Sequence, residues 1–179
     1  MCNYRFLYIL FISLLLSACA TAPDVKDMIV DVEPGQVRTY DPGLENNIAV
    51  KSIGGGDETN PLWTSEIESE GFKSALVESL KASGLLSAEE NAASYHLSAE
   101  IQSVDQPMFG FDMTVTAVVK YTLTAIDRGN EIFIKTLTSK HTATMGDAFY
   151  GPERLKIANE GAVKQNITQL LEELSKLRF

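Results

Sequence analysis

The longest regular pattern in the chain runs from Phe111 to Ile126. Met113, Val115, Ala117, Val119, Tyr121, Leu123 and Ala125 alternate there with Asp112, Thr114, Thr116, Lys120, Thr122 and Thr124. A period of two marks a strand with one dry face and one wetter face, so this segment is predicted as the central strand of a sheet. Tyr95, Leu97, Ala99 and Ile101 alternate with His96, Ser98, Glu100 and Gln102 in the same way. Asp127-Arg128-Gly129-Asn130 has the composition of a hairpin connection, and Glu131 to Thr144, rich in Ile, Phe and Thr, is its return strand. Upstream, Asn47 to Ile53 forms a short apolar strand that stops at Gly54-Gly55-Gly56.

Two segments carry helical spacing instead. Ile67, Phe72, Ala75, Leu76 and Leu80 form one stripe, preceded by Ser65 and Glu68 in the spacing of a capping box and followed by Gly84 as a stop. Trp63 stands just ahead of that start, placed to fold over it. The second stripe is Leu155, Ala158, Ala162, Ile167, Leu170, Leu171, Leu174 and Leu177, with Pro152 in the first turn and most of the charged residues elsewhere. Asn159 and Asn166 border this stripe, positioned to bond neighbouring backbone. The predicted order is β-α-β-β-β-α. It makes an α/β (α+β) two-layer sandwich with a mostly antiparallel sheet and two helices on one face, because the strands have only one strongly apolar side.

Residues 19–46 follow neither period. Pro23, Pro34, Gly35, Pro42 and Gly43 interrupt any long element, which reads as a linker, with Met28 to Val32 as a short edge strand inside it. Ahead of this lies an apolar run from Phe6 to Leu16. It is too short for the ~20 residues that span a bilayer and right for the core of a signal peptide. Ser17 and Ala18 supply the small residues of a cleavage site before Cys19. Leu16-Ser17-Ala18-Cys19 resembles the lipobox of bacterial lipoproteins. The resemblance implies removal of residues 1–18, acylation of Cys19 with palmitate-type chains, and a membrane held through the N-terminal lipid. Ala20 stands where an Asp would favour inner-membrane retention, so the resemblance further implies the outer membrane, with residues 47–179 as a single domain facing the periplasm. The alternative is an ordinary secretory signal whose cysteine stays free or disulfide-bonded.

Charge agrees with a body held off a membrane. The chain carries −9, and loss of Arg5 with the leader takes it to −10, which argues against nucleic acid and against attraction to anionic head groups. Cys2 lies in the leader, so with Cys19 acylated the fold rests on burial alone.

The body resembles small periplasmic accessory lipoproteins, nearest the auxiliary lipoprotein of ABC-type lipid transport systems. More loosely it is similar to the α/β domains of curli-secretion and penicillin-binding-protein activator lipoproteins. The residues that carry this are Phe72-x-x-Ala75-Leu76-x-x-Ser79-Leu80, Tyr95-x-Leu97, Val115 through Tyr121-x-Leu123, and Ala158-x-x-x-Ala162, within residues 47–178. The resemblance implies a non-enzymatic part in envelope assembly or lipid traffic.

Candidate chemistry is sparse. The Gly54–Gly56 run leads into Asp57-Glu58 rather than the Lys-Ser/Thr that a phosphate loop requires, and reads as a flexible loop. His96 and His141 stand in no metal-ligand spacing, Glu89-Glu90 and Glu172-Glu173 are consecutive and point apart, and no Gly-x-Ser-x-Gly elbow occurs. No catalytic, cofactor or metal residue is assigned. Two loops are less ordinary. Pro107-Met108-Phe109-Gly110-Phe111 and Gly146-Asp147-Ala148-Phe149-Tyr150-Gly151 put large apolar residues between elements. Phe109, Phe111, Phe149 and Tyr150 either cap the core or stand exposed as a partner site. The function expected is a non-catalytic accessory or adaptor that meets an envelope protein. The alternatives are a lipid- or glycan-binding carrier with a ligand between helix and sheet, and a hydrolase or acyltransferase with an unfamiliar site.

Overall fold

The computed structural model describes residues 20–31, 38–59 and 65–179. Cys19 and Trp63 lie outside these ranges. The elements are α1 (Val25–Met28), β1 (Ile48–Gly54), α2 (Ser69–Ala82), a 3-10 turn (Glu90–Ala92), β2 (Tyr95–Asp105), β3 (Met113–Ala125), β4 (Asn130–Ala143) and α3 (Gly151–Leu174). The four strands form one sheet in the order β1-β2-β3-β4. β1 pairs parallel with β2 and the other two pairings are antiparallel. The parallel pair follows from connectivity, since the chain leaves β1, forms α2 and returns to start β2 at the same end. The fold is the α+β two-layer sandwich that the periodicities require.

β3 is the centre. All seven residues from Met113 to Ala125 at odd positions are buried, and the even ones are half-exposed. Both helices lie over the buried face, α2 against β1 and α3 across β3 and β4, and they touch one another. Burial of Phe72, Leu76, Leu97, Tyr121, Leu123, Ile167 and Leu170 in one cluster is the main stabilising term, each large side chain contributing about 1.5–3 kcal/mol. Tyr121 brings a hydroxyl into this core, where burial pushes its pKa far up. It donates to Asn166 Oδ1 at 2.8 Å, and Asn166 Nδ2 donates to Leu137 O at 3.2 Å and Ser139 Oγ at 3.1 Å. Asn159 donates to Ser65 O at 2.7 Å. Both asparagines therefore bond backbone, and both are wholly buried.

Three expectations are corrected. The Ser65–Glu68 capping box does not form, because α2 begins at Ser69 with Glu68 at its N-cap. Thr59 holds the approach to the helix: its Oγ1 accepts from Glu66 N at 3.0 Å and donates to Glu66 O, and Glu68 is extended. Glu68 Oε1 accepts from Thr59 N. The strand expected at 28–32 does not form in its described part, 28–31: Met28 ends a one-turn helix, α1, and Ile29 is extended beyond it, while Val32 lies outside the described residues. Val30 N donates to the buried Ser79 Oγ at 3.0 Å, so this stretch binds the helical layer and no sheet edge. The described part of the 19–46 linker is consequently packed on the body, with Met28, Val30, Tyr40 and Leu44 in the core cluster. Finally, the Gly54–Gly56 run is no loose loop: Gly54 ends β1 with open space beside it, and Gly55 and Gly56 are packed against backbone. Gly55 sits at φ +81°, and a Cβ there would lie 2.1 Å from Ile101 O; one on Gly56 would lie 2.5 Å from Ser69 N. The stop after α2 behaves as expected: Gly84 at φ +70° lets Leu85 N reach Leu80 O and Gly84 N reach Lys81 O, the Schellman arrangement.

Candidate functional site

Antiparallel pairing of Met113 with Ala143 brings the two apolar loops side by side at one end of the sandwich. There the large residues point outward: Phe109 is 85% exposed, Phe111 79%, Phe149 86% and Met108 86%. The structure thus places them on the surface and not over the core. Phe109, Phe111, Met145 and Phe149 line one open groove of about 440 Å³. Tyr150, the N-cap of α3, is less exposed and sits beside them.

The residue that assembles this platform is Arg154, in the first turn of α3 and 5% exposed. Its Nη1 donates to Ala148 O at 2.8 Å and to Phe149 O at 2.6 Å, while Nη2 donates to Gly110 O at 3.0 Å. One guanidinium therefore ties the carbonyls of both loops to the helix start, and charge-assisted bonds of this kind are the stronger class. The second tie is Asp147. Its Oδ2 accepts from Thr144 N at 2.7 Å and Thr144 Oγ1 at 2.8 Å, which holds its carboxyl below the ordinary range. Three exposed phenylalanines on loops fixed by a buried arginine form a pre-shaped apolar surface. Sequence reasoning missed Arg154. The available signal was a charged residue four positions before Ala158, on the stripe that faces the sheet.

A second cluster lies along α3. The carboxylates of Asp24, Asp27 and Glu160 converge. Lys156 Nζ stands among them, 2.8 Å from Asp24 and 3.7 Å from Glu160, and supplies the countercharge. Its hydrogen bond to Asp24 raises the lysine's pKa and lowers that of Asp24, whereas burial raises that of Glu160. Asp24 N donates to Glu160 Oε1 at 2.7 Å. Glu160 is buried, and it receives the chain entering α1. This is a strap that holds the N-terminal approach.

The histidines are apart. His96 pairs with Thr124 on the outer sheet face. His141 packs so closely over α3 that a Cβ on Gly161 would lie 2.2 Å from its ring. The space between α3 and the sheet is filled by Leu155, Ala158, Ala162, Val163 and Ile167.

A scan of protein-family models finds no match, and a search of curated proteins finds none. Among solved structures, the fold is similar to that of a Xanthomonas campestris protein described under the family DUF330. The TM-score is 0.57 at 15% identity, covering 84% of this chain and 91% of that one. It is similar also to a Caulobacter crescentus protein put forward as a lipoprotein, with TM-score 0.50 at 13% identity over 74% of this chain and 90% of that one. At such identities the likeness is one of fold.

Proposed function

We propose that this chain is a lipid-anchored, periplasm-facing lipoprotein, acylated at Cys19 and held in the outer membrane. It serves envelope assembly or transport as a non-catalytic accessory and docks an envelope component through the platform. The observation that carries the docking role is the exposure of Phe109, Phe111 and Phe149 on loops that Arg154 holds in place. Contiguous exposed apolar surface of this kind marks interaction sites. Packing between α3 and the sheet argues against the carrier reading, which needs a chamber there of roughly 300 Å³ or more. The lipobox-like Leu16-Ser17-Ala18-Cys19 supports the anchor, and among the described residues no helix is long and apolar enough to cross a membrane.

The test of the anchor is Cys19→Ser with palmitate labelling in cells. The proposal expects the label to vanish and the protein to move from the membrane to the soluble fraction. Persistence in the membrane fraction at the original level contradicts it.

A further inference from the structure

The strap and the platform lie at the same end of the molecule. Asp24 is fixed to Lys156 and Glu160, whereas Asp31 pairs with Lys164 one to two turns further along α3. The chain therefore enters near the start of α3 and runs toward its end. Five peptide steps separate Cys19 from Asp24, a reach of at most about 18 Å. Lys156 lies only about 3 Å along the helix axis from Arg154, the platform's clamp, but about 27 Å from Leu174 at the other end. Chain length thus lets Cys19 reach the level of Arg154 along the helix axis and keeps it short of Leu174.

We propose that the platform's partner is the lipid bilayer itself: Phe109, Phe111 and Phe149 insert into the interfacial layer of the membrane that holds the Cys19 lipid. This rests on the anchored reading of Cys19 and names the component that the platform docks. Phenylalanine is among the side chains that interfacial segments bury at the boundary between head groups and acyl chains. The charges present decide the mode of attachment. The charged residues in the two loops are Asp112 and Asp147, both acidic, and the loop carbonyls engage the one nearby guanidinium. Attachment is apolar insertion, then, which needs no anionic lipid and is not screened away by salt, unlike a basic patch. With acyl chains already supplying affinity, the platform sets the pose. It stands α3 up from the surface and turns the Tyr95–Phe179 end away from the bilayer.

The test uses the acylated protein reconstituted into phosphatidylcholine vesicles, with a nitroxide label at Met108→Cys or, at the opposite end, at Arg128→Cys. Both positions are exposed, and the phenylalanines stay intact. Relaxation by oxygen, which partitions into lipid, is compared with relaxation by a water-soluble nickel chelate. The expected result is an oxygen-dominated label at 108 and a nickel-dominated one at 128. Adding Phe109→Ser with Phe149→Ser should return the label at 108 to the nickel-dominated state, and 0.5 M salt should leave the unsubstituted protein unchanged. Vesicles that float with the protein while position 108 reads as wet as 128 overturn this inference and leave the anchor standing. A label at 108 shielded from both reagents indicates a protein contact, a second copy included, and also overturns it. Failure of the acylated protein to float removes the anchored reading and this inference together.

Discussion

The two ends of the sandwich handle aromatic residues in opposite ways. At the end formed by the β3–β4 turn and the C-terminus, Phe179 stacks on Tyr95 with ring centroids 5.5 Å apart, and its backbone N donates to Asp41 Oδ2. At the other end Phe109, Phe111 and Phe149 stand in water, although covering each would be worth about 1.5–3 kcal/mol. Among the described residues one half-exposed aromatic is stacked and three are not, and the loops that carry those three are tied by a buried arginine. Exposure at the platform is therefore a property of its construction and not of loop residues in general.

The strongest way to break this contrast is to remove the clamp. Arg154→Ala deletes three charge-assisted bonds and leaves the Ala148, Phe149 and Gly110 carbonyls without their donor. The expected loss is about 3 kcal/mol in urea unfolding, from the usual cost of hydrogen bonds to charged groups. Amide exchange should rise in residues 108–111 and 145–150 while staying unchanged near Phe179. Uniform loss of protection across both ends would show that Arg154 supports the core rather than the platform.

Substitution of the aromatics sharpens the contrast at a smaller scale. Phe179→Ala removes a stacked pair and should cost about 1 kcal/mol. Phe109→Ser with Phe149→Ser should change stability by less than about 0.5 kcal/mol, since these side chains lie away from the core. A loss from the platform pair as large as that from Phe179 would mean the exposed rings pack in solution.

The smallest effect is the pH response. Each end has one aspartate held below the ordinary range mainly by backbone N–H groups: Asp147 by Thr144, and Asp41 by Gly43 and then Phe179. A lowered folded pKa contributes stability that is present above the unfolded value and lost as pH falls through the folded one. Acidification below about pH 4 should loosen both ends. Asp147→Asn should abolish that response at Thr144 only, and Asp41→Asn at Gly43 and Phe179 only, as read from amide chemical shifts. A response at Thr144 that survives Asp147→Asn would assign it to another group.

The two-layer fold was legible because periodicity reports burial. Alternation from Met113 to Ala125 matches buried and half-exposed positions, Val118 being the one apolar residue on the half-exposed face. The N-terminal approach was illegible for the opposite reason: a single helical turn and a few extended residues show no period, and they pack through particular partners such as Ser79 and Glu160. The capping box failed because the Glu68 carboxylate is engaged by Thr59 N, six residues before Ser65, while Thr59 Oγ1 bonds Glu66. At the platform, the aromatic residues were visible in the loops, but their exposure depends on Arg154. Nothing in a linear sequence says that a helical guanidinium will reach two loops at once.

Neutron reflectometry of the acylated protein on a supported phosphatidylcholine bilayer tests the central claim most directly. The account predicts that protein density begins inside the head-group layer and extends outward by at least the ~36 Å length of the 24-residue α3. A hydrated gap between the head groups and the protein would contradict it, leaving a body that hangs on a free tether with its phenylalanines in water.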